Sequence, residues 1–561
     1  MNAAWWEPGK IVVSSPDGCA RCLRMRRAAC RPRVAPVIDR AVRDGSVRFA
    51  DDHRLLAPLV DDLIDVLRRL DGDATPHVPF FVLHLHDLRV ERCRFLPDPL
   101  CPDCGDLPVD IPPDGAEWRE PAPKRGPFDY RQRDLSNASE RLRELYVDAE
   151  AGLIRSVRHS AHGLFPTATA PVGLRVSEQE EIGFGRQTSY LAAEVTAIAE
   201  ALERLGGSQP GGRRTAVRTT LRKLDGQAVD PRSFGLHSPE QYAEPGFPFS
   251  EFSDDLELPW VWAWSLRDAR PVLVPECLAY YEILYRPTGY PALAYEISNG
   301  CALGGSLTEA ALHGIFEVAE RDAFLMTWYA RRRPVELRLD PRKDAGLRLL
   351  VQRIQWLSGY RVRLYDDTTD LGIPAVWVLA VDERNRPGHP KALCAGGAHL
   401  DLRSAAASAL LELAPFTAEF PPAYRAHRDR VLAMLDDPAE VKYMEDHRLL
   451  YCAPEAFPRL EFLLDPRERL GLEEAVERHP RPGEHADLRD DLADVVGRIA
   501  EAGLDVLVVD QTTPEHRLGG FRCVKVLVPG SVPMTFGHRA RRVTGLPRLP
   551  AQVNPDPHPF P

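Results

Sequence analysis

Two stretches of the chain are apolar almost all round at the helical period, and both carry glutamates on one face. From Ser189 to Leu205, alanine, valine, isoleucine and leucine fill most positions. A helix is predicted there, with Thr188 or Ser189 as its N-cap. Thr196, Glu200 and Glu203 (i, i+4, i+7) share one side of it, and Glu194 and Arg204 are the polar exceptions elsewhere. Leu307 to Tyr329 reads the same way. Glu309, His313, Glu317 and Glu320 fall within roughly 80° of arc at about 100° per residue, with Arg321 at the edge. A helix with so little polar surface is a buried helix, so these carboxylates are expected inside the fold.

The remaining pattern gives an outline. Asp51–Leu70 reads as an amphipathic helix, and Pro79–Leu88 as a strand with His84 and His86 on a polar face. Trp260, Trp262 and Trp264 alternate on a strand and are expected to be core. Leu488–Gly503 reads as a helix, and Val506–Asp510 and Cys523–Val528 as strands. Gly206–Gly212 and Asp230–Ser250 read as loops. Arg425–Glu484, charged and helical, is expected to be an excursion from the core. Cys19–Gly45, with eight arginines against two aspartates, is expected to be a solvated basic helix face. Proline-rich sequence of mixed charge near 113–132 marks a linker. The division is a small mixed N-terminal domain over 1–112 and a main domain over 133–561. The fold class is α/β (α+β), with helices packed on mixed and antiparallel sheets.

Composition then narrows the classes. A chain of 561 residues is too long for one hydrophobic core. Hydrophobic residues at 44% and charged residues at 27% describe a globular protein. No apolar run approaches the ~20 residues of a membrane span, and the start has no signal-peptide character. A cytoplasmic protein without membrane contact is therefore expected. A net charge of −11 argues against nucleic acid as a partner. The eleven cysteines read as thiols and metal ligands. Cys19-Ala-Arg-Cys22 and Cys101-Pro-Asp-Cys104 are two knuckles whose four thiolates suit a closed, structural zinc site. The alternative is unrelated thiols, one pair of them redox-active.

Buried carboxylates need partners or take up protons. One arginine cannot neutralise five glutamates, so a divalent cation is the simplest partner. Oxygen ligands select magnesium, calcium or manganese. Plainer roles exist for single residues. Ser306-Leu307-Thr308-Glu309 is also a capping box, and Glu317 with Arg321 is an i, i+4 pair. Gly300, Gly304 and Gly305 precede the second helix, where backbone amides can cradle phosphate. Together these features predict a metal–nucleotide site.

Several segments resemble the YcaO family. They are Ser298–Ala310 running on to Glu317–Ala323, the helix Thr196–Glu203, and Gly397–Asp401 leading to Glu412. Val528–Gly537 and the end Pro555-Asp-Pro-His-Pro-Phe-Pro561 resemble, more narrowly, the azoline-forming cyclodehydratases of ribosomal peptides. The resemblance covers about Leu135 to Pro561. The first ~110 residues resemble the zinc-bearing end of the E1-like partner of these enzymes. The resemblance implies ATP-dependent conversion of Cys, Ser or Thr in a precursor peptide to thiazoline or (methyl)oxazoline. It implies magnesium on Glu200, Glu203, Glu317 and Glu320. Thr196, Glu309, His313 and Ser139 would contact nucleotide, Arg321 the phosphates, and the tail would bring Pro561 to the reacting amide. It further implies a separate E1-like leader-binding partner, a flavin-dependent azoline dehydrogenase and a homodimer. Gly305, His313 and Gly185-Arg186-Gln187 depart from the family pattern and bear on the details of phosphate contact. Rival readings are thioamide or macroamidine formation on the same fold, and a non-catalytic scaffold.

Overall fold

The computed structural model describes residues 4–7, 9–15, 18–31, 56–70, 75–135, 137–160, 164–174, 180–281, 289–480 and 483–560. Pro561, the basic stretch beyond residue 31 and the start of the helix expected at Asp51 lie outside the described residues.

The N-terminal unit is an antiparallel sheet of β1 (Ala4–Glu7), β2 (Lys10–Ser14), β3 (Val78–His84) and β4 (Val90–Phe95). Alternation along its strands sorts two cores. Val12, Phe80 and Val82 pack with Leu23 of α1 (Ala20–Cys30). Ile11, Val13, Phe81 and Leu83 pack with Val60, Leu63 and Leu67 of α2 (Ala57–Leu70). The basic face expected on α1 is, at Arg26 and Arg27, a buried network. Arg26 bonds the Leu96 and Pro97 carbonyls and pairs with Glu515 at 2.6 Å. Arg27 pairs with Glu150 at 2.7 Å and with Glu7. This side of α1 meets the rest of the chain, and buried guanidinium groups persist only with such partners.

Next come α3 (Ser139–Tyr146) and an antiparallel sheet of β5 (Arg158–Ser160), β6 (Thr167–Gly173) and β7 (Glu180–Arg186). The first glutamate helix, α4 (Tyr190–Ser208), lies on β6 and β7, capped by the Ser189 side chain. Its approach to β7 needs glycine: a Cβ on Gly185 would fall 1.6 Å from the Ala193 carbonyl oxygen. Gly206 and Gly207, expected in a loop, belong to α4. Side chains there would strike Cys523 and Tyr281, so the glycines let the helix end press onto its neighbours.

The largest sheet begins with β8 (Val217–Thr220), β9 (Glu257–Ser265), β10 (Arg270–Pro275) and β11 (Cys301–Gly304). The second glutamate helix, α5 (Leu307–Ala330), follows. A five-stranded sheet then comprises β12 (Val335–Arg338), β13 (Arg361–Asp366), β14 (Ala375–Val381), β15 (Ala392–Ala398) and β16 (Glu468–Gly471), with α6 (Leu402–Ala426) across β14 and β15. After α7 (Leu488–Glu501), β17 (Leu507–Asp510) and β18 (Arg522–Leu527) return to the largest sheet, whose order is β10-β9-β17-β18-β11, with β8 on β9. Helix α5 contacts β11 and β18 of one sheet and β14 and β15 of the other, which is why it is apolar outside its glutamate stripe. The segment Arg425–Glu484 is not an excursion. Its Val431, Met434, Leu450 and Tyr451 complete the core of the five-stranded sheet, and β16 pairs in parallel with β12. Trp260 is fully buried as expected, whereas Trp262 and Trp264 are only half-buried, the Trp264 ring lying against Gly115.

Candidate active site

Helices α4 and α5 hold opposite faces of the edge strand β11. Leu303 and Cys523 pack toward α4, whereas Ala302, Val524 and Val526 pack toward α5. The two glutamate stripes meet beside this edge. On α4, Glu200 accepts the Phe184 amide at 3.0 Å and Arg204 at 2.8 Å. Thr196 lies one turn earlier, and its hydroxyl accepts from the Gln187 side-chain Nε2 at 3.4 Å. On α5, Glu317 accepts the Gly300 amide at 2.9 Å and Arg321 at 3.3 Å, and Arg321 also pairs with Glu320.

These carboxylates are short of cations. Burial, then the charges of Glu317 and Glu200, hold the Glu203 carboxyl well above its usual range. No hydrogen-bond donor among the described residues reaches the Glu203 carboxylate; the Cys523 thiol meets only its backbone carbonyl. Burial pushes Glu320 up to about 8, with Glu412 of α6 and Glu317 adding to the effect against Arg321. Glu317 is raised by burial against Arg321, the Gly300 amide, Lys525 and Arg204. The site thus sets Glu200, Glu203, Glu317, Glu320 and Glu412 chiefly against Arg204 and Arg321. An oxygen-rich set with raised proton affinity and one donor-free carboxylate is the chemistry that a hard divalent cation satisfies.

The stretch 555–560 docks against this site. Its carbonyls are held in succession: Asp556 by Trp328 at 3.0 Å, Pro557 by Tyr451 at 2.5 Å, His558 by His447 at 2.9 Å and Pro559 by the Cys394 thiol at 3.2 Å. Phe560 is fully buried. Its ring meets Phe324 edge-on, and the Arg321 guanidinium lies 4.2 Å from its centroid. A Cβ on Gly396 would touch both Glu320 and Phe560, so the tail end and the carboxylates share one wall.

Other expected site residues stand apart. The Glu309 amide caps onto Ser306 at 3.2 Å, but its carboxylate accepts Arg131 and the Gln132 amide, both at 3.0 Å, rather than closing the capping box. His313 bonds the Tyr130 carbonyl at 3.0 Å, and burial holds its pKa well below the usual histidine value. Both residues therefore clamp the 130–132 segment onto α5. Ser139 is not brought to the carboxylates. Its hydroxyl meets Glu194, which lies about half a helical turn round α4 from Glu203. Arg143 first, against the cost of burial, then Ser139 and His159 hold Glu194 down to about 2. Sequence reasoning missed Arg131, which sits in the expected linker and carries no pattern. It also missed Lys525, whose signal was a lone charge inside the apolar run Cys523–Val528.

The N-terminal knuckles converge in part. The sulfurs of Cys19, Cys101 and Cys104 lie within 4.8 Å of one another, with Cys19 and Cys101 at 3.7 Å. That spacing suits the edge of a tetrahedron with metal–sulfur bonds of about 2.3 Å. The Cys22 thiol instead accepts the Asp98 amide at 2.7 Å, and burial pushes it up to about 11. Three of the four expected ligands are thus assembled. His84 turns to Glu91 at 3.1 Å and Arg89 at 3.2 Å.

Residues 184–532 match the family model described as YcaO cyclodehydratase, ATP- and Mg2+-binding. The chain belongs to the YcaO family. It is an ATP-dependent cyclodehydratase by that membership, and the matched span contains the whole glutamate set. A relative from Methanothermobacter thermautotrophicus, an uncharacterized protein, is 30% identical over 353 residues, covering 62% of this chain and 80% of that protein. Among solved structures, a heterocyclase in complex with substrate and cofactor aligns with TM-score 0.71 at 22% identity, covering 98% of this chain and 77% of that one. The heterocyclase TruD aligns with TM-score 0.63 at 21% identity, over 98% of this chain and 74% of that one. The YcaO protein of Methanopyrus kandleri bound with AMPPCP and Mg2+ aligns with TM-score 0.53 at 21% identity, over 76% of this chain and 98% of that one. The YcaO fold therefore extends beyond the matched span. Among the described residues no helix is long and apolar enough to cross a membrane.

Proposed function

We propose that this YcaO protein converts Cys, Ser or Thr residues of a ribosomally made precursor peptide to thiazoline or (methyl)oxazoline. The side-chain thiol or hydroxyl adds to the preceding amide carbon, giving a hemiorthoamide whose oxygen would be a poor leaving group as hydroxide. ATP supplies a phosphoryl group to that oxygen. The carbon–oxygen bond then breaks to release phosphate, the nitrogen loses its proton, and a C=N bond forms within the ring already closed by the addition. Glu200, Glu203, Glu317 and Glu320 would hold magnesium, which offsets phosphate charge. Arg321 would face the phosphates, Thr196 would border the nucleotide, and Glu309 and His313 would hold the 130–132 segment behind it. Pro561, which follows Phe560 in the sequence, would serve the reacting amide.

The observation carrying this reading is the seating of Phe560 under Arg321, against the wall shared with Glu320. A tail fixed at every residue from Asp556 to Phe560 favours azoline formation over the thioamide and macroamidine chemistries. The glutamate set favours catalysis over a scaffold. Mass spectrometry of the precursor after incubation with ATP, magnesium and an E1-like leader-binding partner separates these outcomes. Loss of one water, placed by fragmentation at a Cys, Ser or Thr, is expected; the same loss placed at a free amine of the peptide would mean a macroamidine. Exchange of oxygen for sulfur without dehydration, or an unchanged peptide with ATP intact, would contradict the reading. A flavin-dependent dehydrogenase acting afterwards, and a homodimeric enzyme, belong to the same proposal.

A structural zinc on Cys19, Cys101 and Cys104, with Cys22 as fourth ligand after a turn of its side chain, is supported by the three converged sulfurs. Elemental analysis is expected to find about one zinc per chain. Cys101→Ser with Cys104→Ser should lose the zinc and loosen the N-terminal unit, leaving ATP affinity unchanged. Zinc retained in that variant would exclude these ligands.

A further inference from the structure

A lysine is fully buried beside the glutamate cluster, in a strand where every neighbour is apolar. Lys525 lies in β18 opposite Cys301 and is 1% exposed. A buried ammonium is costly unless its three protons find acceptors. Here Nζ donates to the Asn299 carbonyl at 2.7 Å and the Ile297 carbonyl at 2.8 Å, and it lies 3.4 Å from Glu296. Glu296 is held in turn by Arg542 at 2.6 Å. Both carbonyls belong to the turn that enters β11, and the same turn presents the Gly300 amide to Glu317 at 2.9 Å. The turn is tight: Cys301 donates to the Ser298 carbonyl at 2.7 Å, and Val526 donates to the Gly300 carbonyl at 2.7 Å. Gly300 has φ +81°, and a Cβ there would fall 2.3 Å from the Val526 carbonyl oxygen.

The turn is thus pinned from both faces of β11. Lys525 grips it from the α4 side, and Glu317 receives its amide on the α5 side. A hydrophobic residue at 525 would fill the strand at lower desolvation cost, so packing does not account for a lysine. Resting on the reading that Glu317 helps hold magnesium and nucleotide, we infer that Lys525, braced by Glu296 and Arg542, is a positioning residue. It locks the Ile297–Gly300 turn so that the Gly300 amide aims the Glu317 carboxylate. Lys525 itself touches neither peptide nor nucleotide. The charged groups facing Glu317 are Lys525 from β18, Arg321 and Glu320 from α5, and Arg204 and Glu203 from α4. Of these, Lys525 alone also holds the turn.

The test is calorimetric titration of the full chain with AMPPCP at saturating magnesium, together with magnesium titrated at saturating AMPPCP. Lys525→Met is expected to weaken both affinities about tenfold, the worth of one charge-assisted hydrogen bond. Lys525→Arg, which can bridge the same carbonyls, should recover most of the loss, and the KM for peptide should stay unchanged in both variants. In a Glu317→Gln background, Lys525→Met should add no further loss, because the two act on one element. If Lys525→Met does not fold, Glu296→Gln, which loosens the brace while leaving the lysine, should weaken the same affinities in the same direction. Parent-like affinities in a folded Lys525→Met, or an additive loss in the Glu317→Gln background, would overturn the inference while leaving the magnesium reading intact. Parent-like AMPPCP and magnesium affinities in Glu317→Gln alone would instead overturn the magnesium reading.

Discussion

Glu200→Gln, Glu317→Gln and Glu320→Gln each keep the fold and lose ATP turnover by about 10²-fold or more. Each substitution preserves shape and an acceptor oxygen: a glutamine at 317 still receives the Gly300 amide, and one at 200 still receives the Phe184 amide. The charge alone is removed. If these carboxylates were structural, removing one from a cluster in which Glu203, Glu317 and Glu320 are all held above their usual range would relieve like-charge repulsion and leave function alone. If they hold magnesium, the loss is that of an electrostatic group acting on transferring phosphate. Unfolding midpoints at or above the parent's, combined with collapse of phosphate release in the presence of precursor and partner, are the expected pair of results. Parent-like phosphate release in all three variants would make the carboxylates structural.

Truncation after Asp556 abolishes ring formation, by about 10²-fold or more, while nucleotide binding survives. The segment is stiff because proline fixes φ at alternate positions, so its docking costs little entropy. Its carbonyls are each bound to a different buried side chain, Tyr451, His447 and Cys394, so the path is specified residue by residue. Removing it takes Phe560 from beneath Arg321 and opens the wall behind Glu320. Small displacements of positioning groups have large effects on rate. Phe560→Ala should give an intermediate loss. Ring formation at the parent rate in the truncated enzyme, measured by mass spectrometry, would show that the tail serves stability only.

Much of this site was legible because its helices break a rule: apolar helices do not ordinarily carry a file of glutamates. The 3.6-residue period alone placed Thr196, Glu200 and Glu203 together and set Glu317 beside Arg321. The helix limits followed from Ser189 and Ser306, both of which cap as expected. What the period cannot say is what comes from elsewhere in the chain to meet a helix face. Glu309 and His313 share the stripe by period, yet Arg131, Gln132 and Tyr130 engage them from a segment that reads as a linker. The nucleotide contact implied for Ser139 rests on resemblance alone, and its hydroxyl meets Glu194, half a turn round α4 from Glu203. The charge of Arg425–Glu484 suggested surface. Its apolar runs Val431–Leu435 and Leu449–Ala453 are short and set among charges, yet they complete the core of the five-stranded sheet, with the tail held by Tyr451 and His447. Arg26 and Arg27 misled for the converse reason: composition reports charge, not the acids that fold back to bury it.

The central claim is that this YcaO protein removes the amide oxygen of its peptide as phosphate. It is tested most directly by labelling that carbonyl oxygen with a heavy isotope in the precursor and following the label through one round of ring formation. The account predicts the label in released phosphate, in equal amount to rings formed, with none appearing in Glu317→Gln. Label recovered in water, with unlabelled phosphate, would mean that ATP is spent elsewhere and would contradict it.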